Sequence, residues 1–171
     1  SVTGTGLQKA GAIQQDGRNV NPLSKPALKE LLICGALCCT AEIHSPQESA
    51  RRDRSARTDK GSWSATGDPT EVALLVAAEK GGVSRQELLR SHPVLRSEPF
   101  DSETRRMSVT VTQGAGTCTY WKGAADAILP LCGFQMRDGK TVPFSESDRA
   151  AVRRSVTELS DQALRVLAFA R

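Results

Sequence analysis

An α+β fold is predicted for this chain, a twisted and largely antiparallel β-sheet flanked by helices, and three observations predict it. Helix-start residues stand before apolar residues at helical spacing at Ser24, Asp68, Ser84 and Ser145. Two β-type runs, residues 107–112 and 117–122, flank Gln113-Gly114-Ala115-Gly116 and read as a hairpin. Strand patterns fall before, between and after the helical ones, an order that favours antiparallel pairing.

In chain order, residues 1–7 and 12–15, broken by glycines, read as short strands of an opening hairpin. Ser24 is the expected cap of a first helix, with Pro26 in its first turn and Leu28, Leu31, Leu32 and Cys39 on one face. Residues 45–62 have the composition of a flexible surface insertion. Asp68-Pro69-Thr70-Glu71 opens a second helix with an aspartate cap, proline next and glutamate three after the cap, and Gly81-Gly82 stops it. Ser84 and Glu87 repeat the capping-box spacing for a short helix that must end near Pro93. Beyond the hairpin, a helix over residues 124–132 is stopped by Gly133, and Ser145 begins a longer one with Val152, Val156 and Leu159 inward. Residues 164–171 form a compact apolar strand. The chain starts without methionine and stops inside that strand, which leads us to expect an excised piece of a larger protein.

The length of 171 residues fits one domain spanning the whole chain. The longest mainly apolar run, residues 31–41, is interrupted by Gly35 and is about half the length that crosses a bilayer. A net charge of +4 invites a nucleic-acid reading, but five basic and two acidic residues fall between Arg51 and Lys60, so the excess belongs to one loop. That cluster holds no aromatic residue to stack on bases, so no nucleic acid is expected. A solvated loop and electrostatic docking to an acidic partner are the two readings of it. Five cysteines, an odd number with no Cys-x-x-Cys pair, read as buried small hydrophobes of a reducing compartment, with metal ligation as the alternative. His44 and His92 are isolated and complete neither a zinc set nor a catalytic pair.

Four positions place chemistry at structural edges. Lys122 closes a strand just before Gly123 and a helix start, a setting for an anion, although a solvated lysine fits as well. Glu71 serves its helix as a cap partner, or accepts a hydrogen bond from an exocyclic amine such as adenine's. Phe100, between Pro99 and a polar turn, is either core or a ring at the sheet rim on which a purine stacks. Arg105 and Arg106 should point to opposite sheet faces by strand parity, with Arg105 on the side of Met107. Arg165 interrupts an apolar run and needs a partner, an internal carboxylate or a bound phosphate.

Taken in order, Gly67-Asp68-Pro69-Thr70-Glu71 with Ala73-Leu74-Leu75, then Pro99-Phe100-Asp101-Ser102 leading to Arg106-Met107-Ser108-Val109, then Lys122-Gly123-Ala124, then Leu164-Arg165-Val166-Leu167-Ala168, resemble the nucleotide-binding (N) domain of type II P-type cation-transporting ATPases. The likeness is greatest to bacterial calcium-pump-like members, covers essentially the whole chain, and extends to Val2-Thr3-Gly4-Thr5-Gly6, which is similar to the strand entering that domain. It implies ATP as ligand, with Phe100 stacking on adenine, Thr70 and Glu71 lining the base end and Lys122 with Gly123 forming the floor. It further implies Arg165 near the phosphates, Leu167 beside the base, and Met107 and Arg105 in the pocket. Arg105 departs from the family's usual lysine, Ala125 and Asp126 from its proline and glutamate, and Val72 from a frequent glycine. Asp59-Lys60-Gly61 does not match the family's phosphorylated Asp-Lys-Thr-Gly-Thr motif. The resemblance therefore implies a cytoplasmic, soluble and monomeric piece of a membrane pump that binds ATP without hydrolysing it. Its partners would be the phosphorylation and actuator domains of the same parent chain, and magnesium would enter through the phosphorylation domain. The competing reading is a module whose basic loop docks nucleic acid, anionic lipid or an acidic protein segment.

Overall fold

A computed structural model describes residues 1–52 and 63–171. Asp16 and Gly17, at φ 51° and 75°, take the left-handed backbone that a two-residue hairpin turn requires, and join β1 (Gln14–Gln15) to β2 (Arg18–Asn19). The strand expected over residues 1–7 reduces to one antiparallel bridge between Val2 and Ile13. Helix α1 (Pro26–Leu37) begins after Lys25; Ser24 instead ends a 3₁₀ turn, Pro22–Ser24, capped by Asn21. Its second half is buried on every side, because α1 runs through the core and does not lie on it with one apolar stripe. Leu31, expected inward, is consequently an exposed residue of the first half.

Next come β3 (Glu42–His44), α2 (Pro46–Arg52) and β4 (Ser64–Thr66), with β3 and β4 paired antiparallel. The first part of the expected insertion is thus helical. Most of the basic cluster, with Asp59-Lys60-Gly61, lies outside the described residues. Gly67, at φ 108°, then passes so close to the turn after α1 that a Cβ would sit 2.8 Å from the Ala41 Cα. Strain and clash act together there, so Gly67→Ala should lower stability by roughly 2 kcal/mol, read as a shifted urea midpoint.

Helix α3 (Pro69–Lys80) starts as its sequence predicts: Asp68 Oδ1 accepts from the Thr70 and Glu71 amides at 2.8 and 3.3 Å. It ends at Gly81. In α4 (Arg85–Ser91) Ser84 is the cap residue, but its side chain makes no capping bond.

The sheet is built from β5 (Val94–Asp101), β6 (Arg106–Gln113) and β7 (Gly116–Gly123), the last two joined through Gly114-Ala115. Strand β5 was not anticipated. It carries Pro99, is mostly exposed and is irregular between Glu98 and Asp101, all tolerable at an edge. Helix α5 (Ala125–Ile128) is a single turn continued by a 3₁₀ turn, Leu129–Leu131, shorter than expected because Pro130 interrupts it. The hairpin of β8 (Phe134–Arg137) and β9 (Lys140–Pro143), not expected from the sequence, turns at Asp138-Gly139, at φ 50° and 76°. Helix α6 (Glu146–Asp161) has the full capping box of Ser145 and Asp148, yet no buried residue: Val152 and Val156 are half-buried, and Leu159, expected inward, is exposed. The terminal strand is only β10 (Ala168–Ala170).

Sheet order is β10-β7-β6-β5, antiparallel throughout. Met107, Val109, Val111 and Tyr120 join residues of α1 and α3 in one buried cluster. The thiols of Cys34 and Cys38 donate to the carbonyls of Trp121 and Tyr120 at 3.2 and 3.3 Å, fastening α1 to β7. No helix among the described residues is long and apolar enough to cross a membrane.

Candidate functional site

One row crosses all four strands at one end of the sheet: Asp101 is paired with Arg106, Arg106 with Gly123, and Gly123 with Ala168. Phe100, Arg105, Met107, Lys122 and Leu167 each neighbour a member of that row, and Gly123 belongs to it. The first turn of α3 adds Thr70 and Glu71, tied in through Lys122 and Arg165. Residues scattered from 70 to 167 thus share one edge of the fold.

Within this edge, Lys122 Nζ donates to Glu71 Oε1 at 2.7 Å, and both side chains are nearly buried, at 7% and 12% exposed. Glu71 Oε2 accepts from the Thr40 amide and hydroxyl, both at 2.8 Å, and from the Ala41 amide at 3.1 Å. Two expectations are corrected here. Glu71 does not fold back onto its own helix start, because Asp68 already caps it and Lys122 and Thr40 offer stronger partners. Lys122 is not an open ammonium at a helix start, since α5 is a single turn and the charge is spent on Glu71. Burial opposes ionisation of Glu71, but the Lys122 ammonium and the Thr40 donors outweigh it and hold the carboxyl at about 2. Burial and then the Glu71 charge push the Cys39 thiol up to about 11, so it stays protonated at neutral pH.

Gly123 has a structural reason to lack a side chain: a Cβ would lie 2.5 Å from the Arg105 carbonyl oxygen and 2.8 Å from the Arg106 Cβ. Arg105 itself, at φ 52°, lies in the turn before β6, so strand parity does not apply to it. Its Nη2 is 2.6 Å from Asp126 Oδ2, with both groups more than half exposed. Arg106 lies over the Trp121 ring at 5.4 Å. Met107 is core, 2% exposed, and supports the row from beneath. Phe100 is the contrary case, with 58% of its surface open at the end of the edge strand. Arg165 precedes β10, is exposed, and donates to Thr70 Oγ1 at 3.4 Å; it is therefore not the strand arginine paired with an internal carboxylate that one reading required. Leu167 is half-buried. A cavity of about 360 Å³ lined by residues of β3, α3 and α4, including Glu42, His44, Glu79 and Arg85, contains none of these positions.

Thr40 escaped the sequence reading. It follows a buried apolar run, and its bond to Glu71 spans 31 residues, so no local pattern announces it.

Residues 27–171 match the model of the P-type ATPase cytoplasmic domain N. The chain is 31% identical over 99% of its length to the calcium-transporting ATPase of Bacillus subtilis, and 34% identical over 85% to the cation-transporting ATPase pma1 of Synechocystis. It is 32% identical over 92% to the sodium/potassium exporting P-type ATPase cta3 of Schizosaccharomyces pombe. It spans 18%, 14% and 14% of these proteins respectively, less than a fifth of each.

Proposed function

The chain belongs to the P-type ATPase cytoplasmic N-domain family, and from that premise we propose that the residues along the sheet end bind ATP and present its γ-phosphate to an aspartate on a separate phosphorylation domain of the same parent chain. The observation that carries the reading is the single row, which sets an exposed ring and an exposed guanidinium at one edge, with the exposed Arg165 guanidinium held beside the start of α3 by Thr70. Phe100 is the platform for adenine, worth about 1–3 kcal/mol as base–aromatic stacking. Arg165 and Arg105 are the charges available to phosphate oxygens, and a guanidinium matches them in pairs of hydrogen bonds. Leu167 flanks the base, and Gly123 lets the row close tightly. Thr70 steers Arg165, Glu71 and Lys122 fix the floor, and Met107 backs it from the core.

The reaction in the parent is phosphoryl transfer, in which this edge supplies positioning and the neighbouring domain supplies the nucleophile and magnesium. Residues 1–171 act as one nucleotide-carrying unit in this scheme. The parent moves a cation, with calcium the first ion to test, since that word names one of the relatives. With one stacked ring and a few exposed charges, affinity of the chain for ATP falls on the order of 0.1 to several mM.

A two-dimensional NMR titration with ATP tests this directly. Saturable shifts should centre on Glu71, Phe100, Lys122 and Arg165. Phe100→Ala should weaken binding roughly tenfold or more without moving the unfolding midpoint, because the ring is 58% exposed. Shifts confined to residues 51–60, or none up to several mM, would reject the nucleotide reading in favour of anion docking.

A further inference from the structure

We propose that Thr40 is a positioning residue of the nucleotide edge, acting through Glu71 on Lys122 and on the first turn of α3; the inference rests on the ATP reading above. Thr40 is exposed, two residues beyond the Cys38 that ends α1. Its amide and hydroxyl both meet Glu71 Oε2 at 2.8 Å, and the Ala41 amide adds a third donor at 3.1 Å. A carboxylate has about four acceptor positions. The Thr40 and Ala41 donors, with the Cys39 thiol at 3.7 Å, all converge on Oε2, and Lys122 meets Oε1. Oε2 is therefore saturated while Oε1 keeps one acceptor position beside Lys122, and the orientation of Glu71 is set from the α1–β3 turn.

That turn is itself held from the far side. Gly67 approaches Ala41 so closely that no Cβ fits between them, and Gly67 immediately precedes the Asp68 cap of α3. Thr40-Ala41 is clamped between the backbone leading into α3 and the carboxylate emerging from it. Whatever holds Glu71 also holds Thr70, the next residue back, which receives the Arg165 guanidinium. One hydroxyl thus controls three parts of the edge: the direction of Lys122, the seat of Glu71 and the approach of Arg165. Of the donors to Oε2 within 3.1 Å, only the Thr40 hydroxyl is removable by a side-chain substitution; the Cys39 thiol stands farther off, at 3.7 Å.

Thr40→Val keeps the shape and deletes the hydroxyl, and Thr40→Ser keeps the hydroxyl and deletes the methyl. The experiment compares both with the unaltered chain in two readouts: ATP affinity by NMR titration, and the titration of the Glu71 side-chain carboxyl carbon. Thr40→Val should weaken ATP binding about five- to tenfold, a part of the worth of one hydrogen bond to a charged group passed on through Glu71, and move the Glu71 titration to higher pH. Thr40→Ser should resemble the unaltered chain in both. If Thr40→Val binds ATP unchanged while the unaltered chain binds saturably, the positioning role is wrong and the nucleotide reading stands. If Thr40→Ser weakens binding as much as Thr40→Val, the hydroxyl alone does not set the edge, which also overturns the proposal. If the unaltered chain shows no saturable shifts, the nucleotide reading fails and takes this role with it. Thr40→Ala supplies the same comparison should Thr40→Val fail to fold.

Discussion

Lys122→Met is expected to lower the stability of the folded chain by about 3 kcal/mol and to abolish the ordered response to ATP. Lys122 is 7% exposed on its side chain and Glu71 12%, and they meet at 2.7 Å, so neither charge is solvated by bulk water. Removing the ammonium leaves a carboxylate that keeps its Thr40 and Ala41 donors and loses its counter-charge. Those remaining donors put the cost at the lower end of the range for breaking a buried pair. Met fills much the same volume as Lys, so the loss measures charge and not cavity. Adding Glu71→Gln should return part of the stability, because the orphaned charge disappears while an acceptor for Thr40 remains; the four urea curves form a double-mutant cycle. An Lys122→Met midpoint equal to that of the unaltered chain would contradict the buried pair. Binding must be read below the unfolding transition, where a folded variant that no longer shifts at Phe100 and Arg165 reports lost positioning and not lost structure.

This pair also shows which parts of the molecule the sequence discloses. The start of α3 was legible because Asp68-Pro69 writes its geometry locally, and the β6–β7 hairpin because alternating β-type residues flank a glycine turn. Phe100, Lys122, Glu71 and Arg165 were legible as a set only through their resemblance to a family, since nothing in their spacing states that the sheet end and the start of α3 bring them together. What failed was what tertiary contacts decide. Glu71 obeyed a capping pattern in sequence, yet Lys122 and Thr40 drew it away. Arg105 obeyed strand parity on paper, but its left-handed backbone removes it from the strand. Strand β5 hid behind Pro99, which an edge tolerates and a central strand would not. Two Asp-Gly turns, at Asp16 and Asp138, carry the local signal of a two-residue hairpin, so those hairpins are written in the sequence.

Acid should dismantle the same edge, with Glu71 accounting for roughly 3 kcal/mol of lost stability between about pH 5 and pH 2. The folded carboxyl titrates at about 2 against an ordinary 4.5, so folding favours its ionised form. A carboxyl lowered in this way stabilises the fold fully above the unfolded value, and the contribution fades as pH falls toward the folded one. Asp68, held down by the Thr70 amide, and Asp101, held down by the Thr104 amide, shift in the same direction, as does Asp148 at about 2 beside Ser145 and Arg137. Asp68 and Asp101 are open to solvent and Asp148 is half-buried, and their surface partners are screened, so the raw acid slope of the unaltered chain mixes their effects with that of Glu71. Glu71→Gln separates them: it should be less stable at pH 7, and its stability should fall less steeply between pH 5 and 2, the gap between the two curves closing as pH drops. Parallel curves would mean that Glu71 is not held ionised by its partners. Because this carboxylate also seats Lys122 and Thr40, the amide shifts of Thr40, Ala41 and Lys122 should titrate together with it, and at a pH below the midpoint of any free surface carboxylate.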